Sequence, residues 1–249
     1  MQLLGRMSKQ RLDTLLAERG LFSSRTRAAA SVMAGEVRVG TGGRRAAKPG
    51  ELVDPDELIS VDEGPAYVSR GGVKLANALD ESGLRVAGRL AIDVGSSTGG
   101  FTDCLLQRGA ARVYDIDAGT GQLDWKLRND PRVVVHEQVN ARYLSREQVP
   151  EPIDLAVCDV SFISITMILP AIVGLLAPHA EMVILVKPQF ELERREVGKG
   201  GIVRDPALHL KACRRVEQAV QALNFHAQII PSPVLGAEGN KEFLLHARH

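Results

Sequence analysis

The sequence predicts an α/β protein, in which a doubly wound parallel sheet follows a small N-terminal α+β domain. Between residues 89 and 247, short apolar runs alternate with segments of helical period, as in proteins whose helices cover both faces of a parallel sheet. Before them, residues 9–62 hold two short helical patterns and several short strand patterns. With 249 residues, of which 45% are apolar, the chain can bury a sizeable core.

Composition argues against several classes of protein. The three cysteines, Cys104, Cys158 and Cys213, form neither a disulfide framework nor a zinc-site spacing, so we expect a reducing compartment and no metal. The longest apolar run, residues 165–177, contains Pro170 and is too short to span a bilayer. The first residues lack the apolar core of a signal peptide. We therefore expect a cytoplasmic protein without a stable membrane association.

Charge is divided unevenly along the chain. The whole sequence carries a net charge of only +1. Residues 1–48, however, contain ten basic and three acidic side chains, which gives this segment +7 and leaves about −6 for the remaining 201 residues. A basic segment of this kind attracts polyphosphates, because each neutralised phosphate releases counterions. Composition alone leaves two interpretations open, a nucleic-acid contact and a solvated basic arm.

The elements of the N-terminal part follow one another closely. Leucines repeat at helical spacing over residues 12–16, and Gly20 follows where that helix would end. Ser23 or Ser24 is expected to cap a second helix. The remaining predictions are an end of this helix at Gly35 and short strands at residues 37–39 and 58–61.

A Glu-Gly-Pro break at residues 63–65 separates this part from the rest. The pair Gly71–Gly72 is interpreted as a further connector, followed by a helix that ends near Gly83. The predicted boundaries are an N-terminal domain at 1–63, a linker at 64–68 and a C-terminal domain at 69–249.

The C-terminal part alternates strands and helices. Gly239 and Asn240 precede the last strand and would suit a tight turn, so the last two strands are predicted to form an antiparallel hairpin. The predicted strands are residues 89–95, 111–117, 133–136, 153–158, 181–186, 225–230 and 242–247, and the clearest helices are 100–108, 165–176 and 207–223.

A glycine-rich segment, residues 93–101 (DVGSSTGGF), joins the first of these strands to a helix. Glycines allow such a turn to close and a ligand to approach the backbone. The segment is not a G-x-G-x-x-G motif, because Ser97 takes the second glycine position, and it is not a P-loop. Asp117 ends the next strand, where a carboxylate can accept hydrogen bonds from both ribose hydroxyls. The pattern favours S-adenosylmethionine in a Rossmann-like sheet and leaves open NAD or a purely structural turn.

Charged side chains occur at the ends of other strands. Asp159 follows the fourth strand and Lys187 the fifth, and ligands in open α/β sheets bind at the carboxyl edge. Lys74 precedes the first strand, and Glu242 begins the last one. Taken singly, each of these residues is equally well explained as a surface charge.

The N-terminal part resembles the S4 RNA-binding domain. The segments RLDTLLAERGL, SSRTRAAASVMAGEVRVG and KPGELVDPDELISV carry the resemblance within residues 9–62. Such domains bind structured RNA by shape and charge, which suits a segment whose only aromatic residue is Phe22. The resemblance implies RNA contacts at Arg11, Ser24, Arg25, Thr26 and Arg27.

The C-terminal part resembles the FtsJ-like 2′-O-ribose methyltransferases, and the chain from about Lys9 onward resembles the TlyA family. Seven segments carry this resemblance in one order: SRGGVKL, DVGSSTGGFTDCLLQRGA, QLDWKLRNDPRV, VCDVSFIS, VKPQFE, KGGIVRDP and GNKEFLL. Members of the family are rRNA cytidine-2′-O-methyltransferases, some with the older label hemolysin. The resemblance therefore implies methyl transfer from S-adenosylmethionine to a ribose of ribosomal RNA, with ribosomal RNA or ribosomal subunits as partners.

The same resemblance implies roles for individual residues. A catalytic tetrad is expected at Lys74, Asp159, Lys187 and Glu242, with Glu238 as an alternative to the last. Lys187 is the expected base, and Arg70 is a further RNA contact. The implied cofactor contacts are Asp93, Gly95, Ser96, Ser97, Thr98, Gly99, Gly100, Phe101, Asp117, Asn140 and Asp159.

Three other functions remain as alternatives from the sequence. A membrane-active hemolysin would need a longer apolar or amphipathic segment than residues 165–177. An RNA modifier of another chemistry, such as a pseudouridine synthase, would lack the glycine loop and the acid after the next strand. A non-catalytic RNA-binding protein would not need the tetrad. Residues 191–205, rich in glycine, are interpreted either as a mobile lid or as an ordered substrate loop.

Overall fold

The structure is a computed structural model that describes residues 8–62, 65–236 and 238–249. Arg6, one of the basic residues counted above, and the predicted break at Glu63 and Gly64 lie outside these ranges. The chain divides into two compact units, Met1–Ala66 and Tyr67–His249.

The first unit is a small α+β domain, as the sequence predicts. Leucines of the first helix and Val32 of the second helix are buried in one core. Ser24 caps the second helix, because its hydroxyl accepts a hydrogen bond from the backbone N–H of Arg27 at 3.2 Å. The elements are β1 (Gln10–Arg11), α1 (Leu12–Glu18), α2 (Arg25–Met33), β2 (Val37–Val39), β3 (Arg44–Arg45), β4 (Leu52–Val53) and β5 (Ile59–Val61). Strands β3, β2 and β5 form one antiparallel sheet, and β1 pairs with β4.

The second unit is built on a seven-stranded sheet. Its strands are β6 (Leu90–Val94), β7 (Arg112–Ile116), β8 (Val133–His136), β9 (Ile153–Cys158), β10 (Leu176–Val186), β11 (His226–Pro231) and β12 (Phe243–Arg248). They lie in the order β11-β12-β10-β9-β6-β7-β8. The strands from β10 to β8 in this order are parallel, whereas β12 is antiparallel to both of its neighbours. Chain order reverses between β6 and β9, which is where open α/β sheets bind ligands.

Helices cover both faces of this sheet. They are α3 (Arg70–Ser82), α4 (Gly100–Gln107), α5 (Trp125–Arg128), α6 (Leu169–Val173), α7 (Pro188–Glu191) and α8 (Pro206–Gln221). Ile92 of β6 belongs to the core that contains residues of α6 and α8, whereas Ala91 belongs to the core that contains residues of α3 and α4. In β10, Ile184 belongs to the first of these cores and Val183 to the second. Alternate strand residues therefore face opposite helical layers, which confirms the doubly wound arrangement.

The predicted helix over residues 165–176 is wrong in extent. The segment forms a short 3-10 turn, Ile165–Met167, and then the single α-turn of α6. Pro170 lies in the first turn of α6, where its missing N–H costs nothing, and the helix ends before Gly174. Leu176 already belongs to β10 and pairs with Ile153, so the strand begins five residues earlier than predicted.

Two glycine-based expectations also change. Gly71 and Gly72 are not a connector but lie in the first turn of α3. A Cβ on Gly72 would come within 2.2 Å of the Tyr67 ring, so the absence of a side chain allows that ring to pack on the helix. The last two strands are antiparallel, as predicted, but residues 232–242 connect them in place of a tight turn.

Candidate active site

Two adjoining cavities lie at the carboxyl edge of the sheet in the second unit. The larger has a volume of about 540 Å³ and the smaller about 420 Å³. Their shared wall comes from the loops that follow β6 and β9, and consists of Gly95, Ser97, Asp159, Ser161 and Phe162.

The loop after β6 is held tightly against the loop after β9. Gly95 has φ +84°, and a Cβ there would lie 2.6 Å from the carbonyl oxygen of Asp159, so only glycine fits. The backbone N–H of Ser97 donates to Asp117 Oδ2 at 2.8 Å. This hydrogen bond joins the loop to the end of β7. The glycine-rich segment is thus a defined turn whose backbone is anchored on two neighbouring loops.

The smaller cavity combines an acid with apolar walls. Asp117 lies at one side and also accepts a hydrogen bond from the N–H of Gly119 at 2.6 Å. A carboxylate offers about four lone-pair positions, so Asp117 keeps accepting capacity for a ligand. Asn140 lines this cavity and also accepts from the N–H of Arg142 at 3.1 Å, which caps a 3-10 turn. The apolar lining comes from Val94, Ile116, Val139, Ile163 and Ile168.

The larger cavity contains two lysine–carboxylate pairs. Lys187 Nζ lies 2.5 Å from Asp159 Oδ1, and Lys74 Nζ lies 2.5 Å from Glu242 Oε2. Lys74 is 8% exposed and Glu242 5% exposed, and charges buried to this degree need such partners. Glu238, the alternative to Glu242, is exposed and lines the same cavity. The structure therefore places Glu242, and not Glu238, against Lys74.

The sheet explains how these four residues meet. Asp159 and Lys187 follow the neighbouring parallel strands β9 and β10. Glu242 precedes β12, whose antiparallel direction brings its first residue beside the last residue of β10. Lys74 comes from the second turn of α3. Residues that are far apart in the chain thus converge on one edge.

A hydrogen-bonded loop closes one side of the larger cavity. Asn240, which is 1% exposed, lines this cavity. Its Nδ2 donates to the carbonyl of Gly201 at 2.9 Å, and its Oδ1 accepts from the N–H of Val203 at 2.9 Å. The loop over residues 191–205 is therefore tied to the segment that carries Glu242, which favours the ordered-loop interpretation over a mobile lid.

Two buried carboxyl groups lie beneath the glycine loop. Asp93 is fully buried, and its Oδ2 lies 2.8 Å from the Thr102 hydroxyl, whereas Asp115 Oδ2 lies 3.1 Å from the same hydroxyl. One hydroxyl proton cannot form a full hydrogen bond to both acceptors, so a proton on one of the carboxyl groups would stabilise the arrangement. Burial and the neighbouring carboxylate raise the pKa of Asp93 well above its ordinary value, and burial raises the pKa of Asp115 to about 6.

The other expected cofactor contacts lie around the larger cavity. Gly99, the N-cap of α4 with φ +92°, is not part of the cavity lining. Asp93 keeps one oxygen, Oδ1, without a hydrogen-bond partner in the described part of the chain. The residues that do line this cavity are Asp93, Gly95, Ser96, Ser97, Thr98, Gly100 and Phe101, together with Arg70 at the start of α3.

The sequence did not reveal an aromatic pair in the larger cavity, of which one member, Phe162, also lines the smaller cavity. Phe162 is 92% exposed and has φ +65°, a conformation that few residues other than glycine adopt. Its ring lies 5.4 Å from that of Phe190, centroid to centroid. Ser161, also unassigned, accepts a hydrogen bond from Lys187 Nζ at 2.8 Å. The segment VCDVSFIS contains Ser161 and Phe162, and VKPQFE contains Phe190, but spacing alone does not reveal exposure or a positive φ.

In the first unit, the structure brings together two of the five expected RNA contacts. Arg11 and Arg25 both bind the carboxylate of Asp13. Ser24 serves as the cap of α2 described above. Thr26 and Arg27 are exposed on that helix.

Comparison with known proteins agrees with this geometry. The family model for FtsJ-like methyltransferases matches residues 67–249, and the model for the S4 domain matches residues 10–59. A Mycobacterium tuberculosis protein, 16S/23S rRNA (cytidine-2′-O)-methyltransferase TlyA, is 46% identical over 243 residues, which cover 96% of this chain and 90% of the relative. The chain belongs to the TlyA family of FtsJ-like methyltransferases. It is therefore an enzyme that transfers methyl groups, and its cofactor is S-adenosylmethionine.

Solved structures place this TlyA-family chain among methyltransferase folds. A Streptococcus thermophilus protein with a hemolysin name has a TM-score of 0.72 and 44% identity, over 97% of this chain and 89% of that one. Magnesium protoporphyrin IX methyltransferase from Synechocystis, solved with bound S-adenosylhomocysteine, has a TM-score of 0.50 and 15% identity, over 71% and 81% of the two chains. The latter likeness concerns the fold alone. Within the described ranges of the TlyA-family chain, no helix has the length and apolar character to cross a bilayer.

The residues of the two cavities fit S-adenosylmethionine. The apolar walls of the smaller cavity suit an adenine ring, and Asp117 can accept hydrogen bonds from ribose hydroxyls. The unpartnered Oδ1 of Asp93 belongs to the lining of the larger cavity and suits a cationic or hydrogen-bond-donating group. A site with these features would hold the nucleoside in the smaller cavity and leave the lysine pairs for the substrate.

Proposed function

We propose that this enzyme methylates the 2′-hydroxyl of a cytidine ribose in ribosomal RNA. The observation that carries the proposal is the pairing of Lys187 with Asp159 and of Lys74 with Glu242 in one cavity beside the glycine loop. The name of the Mycobacterium tuberculosis relative supports the nucleotide and the RNA. The S4 domain supports an RNA partner, whether free ribosomal RNA or a ribosomal subunit.

In this proposal, Lys187 accepts the proton of the ribose hydroxyl. A hydroxyl is a weak nucleophile and must lose its proton as the new bond to carbon forms. S-adenosylmethionine, when bound, supplies a methyl group activated by its sulfonium. Lys187 Nζ is held at 2.5 Å from Asp159 and at 2.8 Å from Ser161, so its position in the cavity is well defined. To accept a proton, Lys187 must enter the reaction as the neutral amine.

The other charged residues are assigned to positioning. Asp159 orients Lys187, and Glu242 orients Lys74. The ammonium of Lys74, fixed in a largely buried position, can stabilise negative charge that develops on the attacking oxygen. Two lysines in fixed positions help to hold the reacting atoms in line. This alignment removes a large part of the entropic barrier.

The aromatic pair is assigned to the target base. A ribose in a helical RNA reaches an enclosed site only when its nucleotide leaves the stack. Phe162 presents an exposed ring at the mouth of both cavities, and Phe190 supports that ring from one side. Base stacking on an aromatic side chain contributes about 1–3 kcal/mol, enough to offset part of the cost of unstacking.

Substitution of Lys187 tests the proposal. Lys187→Ala should abolish transfer of tritiated methyl groups to unmodified ribosomal subunits, whereas calorimetry should show nearly unchanged affinity for S-adenosylmethionine. Lys187→Arg should be equally inactive, because a guanidinium keeps its proton at neutral pH. Lys199→Ala, which removes an exposed lysine outside the cavity lining, is the matched control and should retain turnover. Retained turnover in Lys187→Ala or Lys187→Arg would contradict the assignment of the base.

Three further assignments belong to this proposal. We infer that residues 64–68 are the linker between an N-terminal domain at 1–63 and a C-terminal domain at 69–249, and the division between the compact units after Ala66 supports this. We assign RNA contacts to Arg70 and, in the S4 domain, to Arg11, Ser24, Arg25, Thr26 and Arg27. An enzyme that modifies ribosomal RNA would act in the cytoplasm, where its substrate is assembled.

The hemolysin names of some relatives receive no support from a specific feature of the described residues.

A further inference from the structure

A buried carboxylate in the S4 domain holds two arginines together. Asp13 is 3% exposed. It accepts hydrogen bonds from Arg11 Nε at 3.1 Å and Arg11 Nη2 at 2.8 Å, which is a bidentate contact, and from Arg25 Nε at 3.1 Å. These hydrogen bonds lower the pKa of Asp13 to about 2, with that from Arg11 the largest cause, so the carboxylate is ionised at neutral pH.

The two arginines keep donors that Asp13 does not use. Arg25 contacts Asp13 only through Nε, and no partner for its Nη1 or Nη2 occurs among residues 8–62 and the other described ranges. The side chains of Arg11 and Arg25 are 49% and 57% exposed, so these donors can meet a ligand. Two guanidinium groups and one carboxylate leave a net positive charge at this point. Without Asp13, two cations in contact with the same oxygen atom would repel each other.

The backbone at Gly50 packs against the guanidinium of Arg11. A Cβ at this position would lie 2.9 Å from Arg11 Nη1 and 3.1 Å from Arg11 Cζ. The guanidinium therefore rests directly on the backbone at Gly50, and a side chain there would displace it. Because the displaced atoms are the far end of a flexible side chain, the rest of the domain can remain unchanged.

We propose that Asp13 is a positioning residue for RNA binding: it fixes Arg11 and Arg25, already assigned to RNA, as a preassembled site for one backbone phosphate. The inference rests on the proposed RNA substrate. Guanidinium groups match the geometry of phosphate oxygens, and a carboxylate that fixes both groups in advance lowers the entropy lost on binding. A phosphate contact orients the protein on RNA without reading sequence, as expected of an S4 domain that binds by shape.

The sign of one substitution distinguishes this site from simple charge attraction. Asp13→Asn removes a negative charge from a basic surface, so electrostatic attraction alone predicts tighter RNA binding. Positioning predicts the opposite, a loss of about tenfold in affinity, because the two arginines lose their common anchor. The measurement is fluorescence anisotropy of the full-length protein with a labelled double-stranded RNA hairpin over a series of salt concentrations. The slope of log K against log salt should fall by about 1, the value for one lost phosphate contact.

Two further variants make the test decisive. Gly50→Ala displaces Arg11 without a change in charge and should lower affinity in the same direction, even if Asp13→Asn proves unstable. Glu36→Gln is the matched control, because it removes a carboxylate of the same domain whose side chain binds no arginine among the described residues, and its affinity should be equal or higher. Wild-type affinity and salt slope in Gly50→Ala, or tighter binding by folded Asp13→Asn, would overturn the inference. Since the readout is RNA binding, a failure here leaves the methyl-transfer proposal to its own test.

Discussion

The ionisable residues of this enzyme act through their partners rather than singly. Lys74 and Glu242 neutralise each other in a largely buried position, and removal of either would leave an uncompensated charge, at a cost of about 3–5 kcal/mol. Among the described residues, neither Asp93 nor Asp115 forms an ion pair, and both contact the hydroxyl of Thr102 instead. Opposite charge stabilises the pair of Lys74 and Glu242. The pair of Asp93 and Asp115 is instead stabilised by a proton on one of the two carboxyl groups.

The raised pKa of Asp115 predicts a pH-dependent cost in stability. An aspartate with a pKa near 4 in the unfolded chain and about 6 in the folded protein favours folding below pH 4 and loses that contribution between pH 4 and 6. Asp115→Asn removes the cost and should stabilise the protein at pH 7.5 by on the order of 2 kcal/mol, with a smaller gain at pH 5 and none below pH 4. Thermal unfolding at the three pH values measures this. Glu147→Gln, at an exposed position, should show no such trend; a pH-independent gain in Asp115→Asn would refute the shared-proton account.

At the scale of elements, the direction of β12 decides the composition of the site. Had β12 been parallel to β10, Glu242 would lie at the opposite edge of the sheet from Lys187. The same segment carries Asn240, which connects the loop over residues 191–205 to the strand. The loop and the acid of the site are therefore positioned by one stretch of chain.

Asn240→Ala should loosen this connection. The substitution leaves the carbonyl of Gly201 and the N–H of Val203 without their partner, at a cost of about 1–3 kcal/mol. We expect faster hydrogen exchange in residues 199–203 and a lower kcat, with cofactor affinity nearly unchanged. Lys241→Ala, at the adjacent exposed position, is the control and should resemble the wild type in exchange. Wild-type exchange in Asn240→Ala would show that other contacts hold the loop.

At the scale of the whole molecule, the basic segment and the two cavities belong to different units. The first 48 residues carry +7, whereas both cavities are lined only by residues beyond 68. RNA affinity and cofactor binding should therefore be separable. Residues 49–66 contain six acidic and no basic side chains, so they offset the basic segment within the first unit, which as a whole carries +1.

Removal of residues 1–62 tests the separation. The remaining chain should bind S-adenosylmethionine with wild-type affinity in calorimetry, because every cavity residue is present. It should lose most of its affinity for ribosomal subunits, since the basic segment over residues 1–48 is gone. The intact chain under the same conditions is the reference. Normal methylation of subunits by the truncated enzyme would contradict the division of roles.

The sequence by itself determined the strand–helix alternation, the glycine turn after β6 and the basic segment over residues 1–48, because each depends on neighbouring residues or on composition. It failed for residues 165–176, where an apolar run satisfies a helix and a buried strand equally well. Only the tertiary structure decided that Glu242 rather than Glu238 meets Lys74, that Phe162 is exposed and that Asp13 holds two arginines. These contacts join residues that are distant in the chain or depend on backbone conformation, and both are set by packing of the whole domain.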